Sequence, residues 1–305
     1  MKVVPLNSFY KKNEFKKHFV VTFASEKGGV GKTTIATNLA IYLKALYEDL
    51  PVTVASFDNH FTLDHMLSFG PSPAHDITDL LANTLASELT VLGQYGVQYI
   101  PSTKKLSPPP HSPCWLKERI DASKFEGILI LDTKPVLNWF TEAALLASDL
   151  VISPIKDRAA LTNVSTLNNV LCRVGKSRAL WLLPSLVDLR AKDEKGHSFY
   201  QSLKRAALDL NYQVLDMYIS KSPKVESLAS FSSLNIPSIL SKARKTAVHG
   251  QIKQLADFVY SQFRSQLKEE ITKQILENKI DTDKKENVDF VENKLLKQNY
   301  KKNVI

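Results

Sequence analysis

The stretch Lys27-Gly28-Gly29-Val30-Gly31-Lys32-Thr33-Thr34 gathers glycines, two lysines and adjacent threonines. Glycines let a backbone turn several N–H groups inward and come close to an anion. A lysine such as Lys32 can then reach the β and γ phosphates of a nucleotide, and the Thr33 hydroxyl can bind Mg²⁺. In this reading Ser25 takes the place of the glycine that usually opens such a loop. The apolar run Phe19–Ala24 precedes the loop, and a helical stretch from Thr33 to Tyr47 follows it. Strand, loop and helix in that order are what a phosphate-binding loop requires, with the helix N-terminus adding partial positive charge. Two carboxylates join the candidates. Asp132 ends the apolar run Gly127–Asp132, where an unpaired buried carboxylate would be costly, and it suits a metal held through water. Asp58 follows the run Val52–Phe57.

The elements that must position these groups alternate along the chain. Apolar runs lie at 19–24, 52–57, 97–101, 127–132, 150–155, 179–184 and 212–219, which suits strands buried on both faces. Helical stretches fall at Thr33–Tyr47, Thr141–Ser148, Ala159–Arg173 and Ser198–Asp209. The pattern predicts a three-layer α/β fold, with a mostly parallel, doubly wound sheet and the phosphate-binding loop after its first strand. The expected organisation is a flexible basic arm at 1–17, one domain at 18–263 and a charged, partly helical or disordered tail at 264–305. Ser107–Pro113, rich in proline, should be an exposed loop. In the tail, Leu267, Ile271 and Ile275 share a helix face, and Asp281–Asn287 looks unstructured.

Of the 305 residues, 44% are hydrophobic and 23% charged, enough for a sizeable core. No run of about 18 apolar residues suggests a membrane span, and the basic N-terminus has no long apolar stretch after it. Cys114 and Cys172 are too few for a disulfide framework or a four-cysteine metal site, so a reducing, cytosolic setting is expected. A net charge of +9 favours polyanionic partners, nucleic acid or an anionic membrane surface.

Lys27, at the start of the glycine loop, makes the chain resemble the deviant Walker A, or ParA/MinD, family. Val54–His60, Ile128–Pro135, Ala144–Pro154, Leu186–Arg190 and Tyr218–Lys224 are similar to later segments of that family. The resemblance spans Phe19 to Phe263 and is closest to small ParA-like partition ATPases without an N-terminal helix-turn-helix. It implies ATP and Mg²⁺ as cofactors and a homodimer in ATP, with Lys27 crossing to the partner's nucleotide. Lys27, Lys32, Asp58 and Asp132 would be the catalytic set, Asp58 positioning the attacking water and Asp132 holding Mg²⁺ through water. Hydrolysis would be slow and stimulated by a ParB-like or adaptor protein. Arg190 and Lys221, with Lys224 close by, match positions that bind non-specific DNA, which implies a cytoplasmic, nucleoid-associated protein that segregates DNA or positions cargo.

This chain departs from the family pattern at Ser56, where an aspartate is usual, and at Lys134 in the switch segment. The usual adenine-contacting asparagine is not evident near Pro184 and Ser185. A MinD-like alternative would bind membrane through the tail, where Leu295, Leu296 and Tyr300 alternate with Lys294, Lys297, Lys301 and Lys302; that apolar face is thin. Cys114 and Cys172 do not match the cluster-bridging cysteines of nitrogenase-like iron proteins.

Overall fold

The computed structural model describes residues 18–58, 60–70, 75–82, 84–188, 190–192, 196–228 and 236–302, with side chains of the last helix described through 273 and at 275. The N-terminal arm and the tail's Leu295–Lys302 side chains lie outside the described residues. In chain order the elements are β1 (His18–Phe23), α1 (Lys32–Leu46), β2 (Val52–Ser56), α2 (Thr62–Leu67), α3 (Ala86–Leu89), β3 (Val91–Leu92), β4 (Gln98–Ile100) and α4 (Trp115–Ala122). There follow β5 (Gly127–Asp132), α5 (Trp139–Ala147), β6 (Leu150–Ile155), α6 (Arg158–Thr162), α7 (Val164–Arg173) and β7 (Leu180–Pro184). The last are α8 (Phe199–Asp209), β8 (Gln213–Val214), α9 (Pro223–Leu228), α10 (Ile239–Lys242) and α11 (Ala247–Lys302).

Eight strands form one sheet in the order β3-β4-β2-β5-β1-β6-β7-β8. Only the β3–β4 pair is antiparallel. Every residue of β1, β2, β5 and β6 is buried, as expected for strands covered on both faces. Helices α4 and α5 enclose one apolar cluster around Phe57, Leu116, Phe125 and Phe140, and α7 and α8 enclose a second around Val151, Leu167, Leu171 and Leu203. Helix α1 is joined instead to α10 and α11, through the Ile239 N–H on Asn38 Oδ1 (2.8 Å) and a Tyr42–His249 hydrogen bond. This is the doubly wound three-layer α/β fold that the strand–helix alternation predicts.

The register sets up the chemistry. Asp132 stands opposite Phe23 of β1 on one side and Ser56 of β2 on the other. The start of β5 is fixed by a close approach: Ile128 N–H donates to Pro51 O at 3.0 Å, and Gly127 has φ +71°. A Cβ there would lie 2.0 Å from Pro51 O, so only glycine fits.

Several expectations change in detail. The strand expected at 212–219 shrinks to β8: Leu215 N–H still donates to Leu182 O, the ladder then breaks, and the chain meets the end of β7 again through Ile219 N–H on Pro184 O and the isolated Val187–Ser220 bridge. The short α2, α3, α4, α9 and α10 carry too few turns to show helical periodicity. Ser107–Pro113 has no regular structure, and Trp139 Nε1 donates to the His111 carbonyl at 2.8 Å, tying that loop to the start of α5. Helix α11 runs through 281–287, where the sequence suggests none; that segment has no proline or glycine to break it. The chain divides into two compact units, residues 1–260 and 261–305. Among the described residues, no helix is long and apolar enough to cross a membrane.

Candidate nucleotide-binding site

The glycine loop bridges β1 and α1 as expected, and Gly29 (φ +65°) and Gly31 (φ +88°) hold the left-handed conformations that curl it. Gly31 is the N-cap of α1 with no side-chain cap, which leaves that end's N–H groups for an anion. Counting back from Gly31 and Lys32 in the G-x-x-x-x-G-K-[ST] pattern, the opening glycine's place falls on Glu26. The assignment of Ser25 to it is corrected accordingly. Ser25 is buried and accepts from the Lys27 N–H at 3.3 Å.

Lys32 is only 7% exposed, and its ammonium donates to the carbonyls of Ser25 (3.1 Å) and Lys27 (3.3 Å). Burial lowers its pKa below the usual lysine value, partly offset by the charges of Asp132 and Asp58. Asp132 is fully buried. Its Oδ2 accepts from Thr33 Oγ1 (2.8 Å) and Ser56 Oγ (2.9 Å). Its Oδ1 is buried with no hydrogen-bond partner among the described residues. Burial pushes the Asp132 carboxyl up to about 6, against the pull of the Thr33 and Ser56 hydroxyls and the Lys32 charge, while Asp58 adds to the rise.

Ser56, the departure from the family's aspartate, thus donates a hydrogen bond where a second carboxylate would repel Asp132. Asp58 joins the same group: its N–H donates to Ser56 Oγ (3.1 Å), and it is close enough to bear on both Lys32 and Asp132. An unpartnered carboxylate oxygen beside a threonine hydroxyl fits a hard divalent cation, which prefers oxygen ligands. Among the described residues, no cluster of three or more His, Cys, Asp or Glu could hold a metal by itself, so part of the ligand set would come from phosphate and water.

Lys27 turns elsewhere. Its Nζ meets Asp157 Oδ2 at 2.6 Å, with the two side chains 30% and 35% exposed. Val30 is buried and its carbonyl accepts from Ser185 Oγ at 2.9 Å, while Thr34 is exposed enough to line an adjoining cavity. That cavity, of about 320 Å³, runs from Gly29, Gly31 and Thr34 to Leu186, Ile219, Ser220, Val225 and Ile252. Gly28 abuts Pro135 of the switch segment, 4.0 Å from where a Cβ would stand. Nothing in the spacing of 218–224 marks these residues as cavity-lining; the Val187–Ser220 bridge brings them to the loop.

Arg190 and Lys221 come together outside this cluster. Lys221 N–H donates to Val187 O at 2.9 Å, and Arg190 grips Asp188 through Nε and Nη2, each at 3.2 Å. The Arg190 hydrogen bonds, chiefly, and the charges of Arg190 and Lys221 lower the Asp188 pKa. Lys224 sits at the start of α9.

A profile of the CobQ/CobB/MinD/ParA nucleotide binding domain matches residues 21–288. No curated protein gives a significant match. Among solved structures, cobyrinic acid a,c-diamide synthase from Mycobacterium smegmatis, with bound ATP analog and magnesium, superposes with a TM-score of 0.62 at 20% identity, over 81% of this chain and 96% of that one. The ParA family ATPase from Chlorobium tepidum TLS gives 0.60 at 19% identity, over 78% and 98%. The Aquifex aeolicus MinC:MinD cell division complex gives 0.60 at 18%, over 80% and 96%. At these identities the likeness concerns the fold.

Proposed function

The chain belongs to the CobQ/CobB/MinD/ParA nucleotide-binding domain family, and from that premise we propose that it is a ParA-like ATPase that forms an ATP-dependent dimer on non-specific DNA. The observation that carries the nucleotide half is the group at the loop. Lys32, Thr33, Ser56, Asp58 and Asp132 converge beside the loop, and Asp132 Oδ1 is left open. Lys32 would exchange its two backbone carbonyls for phosphate oxygens. Thr33 directly, and Asp132 through water, would hold Mg²⁺, which supplies neutralisation of phosphate charge when bound. Asp58 would orient the attacking water. The apolar cavity past Thr34 would receive the base and ribose. Lys27 would act on a second copy's nucleotide, so that the terminal phosphoryl group decides association. One fold neighbour described as a plasmid partition protein bound to AMPPNP and another as a ParA family ATPase are in keeping with this reading.

For DNA, the support is the pairing of Arg190 and Lys221 on one surface, in a chain of net charge +9. A ParB-like or adaptor protein would stimulate hydrolysis. The test is binding of the full chain to non-specific DNA and to anionic liposomes, each with ADP or ATP and magnesium. Salt-sensitive DNA binding in ATP alone is expected. Liposome binding lost on deleting 290–305 would replace the DNA reading with the membrane one, and a protein without affinity for either nucleotide would sink both.

A further inference from the structure

The far wall of the cavity beside the glycine loop is held from behind by a helix. Ile219, Ser220 and Val225 lie on that wall, opposite Gly29, Gly31 and Thr34. The end of β7 fixes one side of the 219–221 segment. Ile219 N–H donates to Pro184 O (2.8 Å), Val187 N–H to Ile219 O (3.0 Å) and Lys221 N–H to Val187 O (2.9 Å). In such a parallel bridge the N–H of the middle residue, Ser220, points to the opposite side. Ser220 is 7% exposed, so leaving that N–H unmet would be costly.

Gln251, in the second turn of α11, meets it. Its Oε1 accepts from the Ser220 N–H at 2.8 Å, and its Nε2 donates to Ser220 Oγ at 2.7 Å. A side-chain amide carries the same donor and acceptor as a peptide group, so Gln251 does for Ser220 what a neighbouring strand would do. Val248 and Ile252 of the same helix line the cavity themselves. Gln251 stands three residues past Val248, so the polar clamp and the apolar wall share one helix face. The segment is thereby caught between the end of β7 and the start of α11.

We propose that Gln251 is a positioning residue of the nucleotide site: its amide holds Ser220, and with it the 219–221 segment, at the spacing from the glycine loop that admits a base and ribose. This rests on the placement of base and ribose in that cavity proposed above, and names the side chain that keeps the cavity in shape. Gln251 acts through Ser220, its amide being spent there, and the phosphate end of the site does not depend on it. Without the clamp the wall is tied on the β7 side alone, and part of the binding energy of a nucleotide goes into ordering it again.

The test is titration of the full chain with ADP and with ATP, in magnesium and well below the unfolding transition. Gln251→Ala should raise both dissociation constants about ten-fold, the scale of two ordinary hydrogen bonds, and by the same factor for the two nucleotides. Gln251→Glu can accept from both the N–H and the hydroxyl of Ser220, and should stay within about three-fold of wild type. Gln251 also borders a separate cleft of about 480 Å³ with Tyr200, Tyr218 and Gly250, which gives that carboxylate access to water. Tyr42→Phe cuts the other tie of this part of α11, the Tyr42–His249 hydrogen bond, without touching Ser220, and should leave both constants unchanged. Wild-type affinity in Gln251→Ala, or an equal loss in Tyr42→Phe or Gln251→Glu, overturns the clamp while nucleotide binding by the chain stands. If wild type binds neither ADP nor ATP, the nucleotide site itself fails, and the clamp with it.

Discussion

Lys27 and Lys32 belong to one loop, yet their surroundings differ in kind. Lys32 is 7% exposed among backbone carbonyls and near two carboxylates, and burial works against its charge. Lys27 has a 30% exposed side chain and, among the described residues, one anionic partner, Asp157. The inner side of the loop is a dry, costly arrangement completed by a ligand. The outer side is wet and loosely paired, suited to exchanging partners. Burial, more than residue type, thus separates the two lysines, as the proposed binding and switching roles would require.

Removing the inner lysine should break this contrast most. Lys32→Ala should weaken ATP and ADP binding by about 100-fold or more by titration, since a desolvated charge has no substitute there. Nucleotide affinity close to wild type would erase the distinction. The outer counterpart, Lys27→Ala, should leave ADP affinity within about two-fold while abolishing the ATP-dependent dimer in sedimentation, a loss confined to contacts in trans. Dimerisation that survives intact would take the switching role away from Lys27.

Asp132 sharpens the inner half through pH. Its folded-state pKa is raised from 3.8 to about 6, with Lys32 and Asp58 the charged groups facing it. The folded chain binds that proton more tightly than the unfolded chain, so this group's stabilisation is full below the unfolded pKa and is lost as pH rises through about 6. Without ligand, Asp132→Asn should therefore be more stable than wild type at pH 8 by roughly 2–3 kcal/mol, and the difference should vanish near pH 4 in urea unfolding. It should also lose magnesium-dependent hydrolysis. Equal stability of the two proteins at pH 8 would mean that the buried carboxylate carries no such strain.

Two smaller effects bracket the comparison. Arg190→Glu with Lys221→Glu should lower DNA affinity in ATP by about ten-fold and flatten its salt dependence by roughly one unit of slope per lost phosphate contact. Unchanged DNA binding would move that surface elsewhere. Ser185→Ala removes a buried donor from the Val30 carbonyl and should cost about 1 kcal/mol in thermal or urea unfolding, with nucleotide binding retained.

What the sequence discloses follows the range of the interactions. The glycine loop, Thr33 and Asp132 are legible because their roles depend on neighbours in the chain: an apolar strand before, a helix after. The alternation of apolar runs likewise yields the parallel sheet. Asp157 is not legible, because its meeting with Lys27 depends on β6 lying beside β1. Nor is the cavity beyond Thr34, which needs the Val187–Ser220 bridge at the far side of β7. Ser56 reads as a missing aspartate until the register places it against Asp132, where it serves as a donor. The edge strand β8 is overestimated because an apolar run at a sheet edge has one neighbour to pair with.

The indole of Trp139, at the first turn of the helix that follows Asp132 and the switch segment, is fastened to the His111 carbonyl of the proline-rich loop. With only three tryptophans in the chain, the molecule carries its own optical probe at that junction. A change of that carbonyl contact would alter the polarity around the ring and shift its emission, so a nucleotide titration of unlabelled protein, with the signal of Trp139→Phe subtracted, reads directly whether that junction moves.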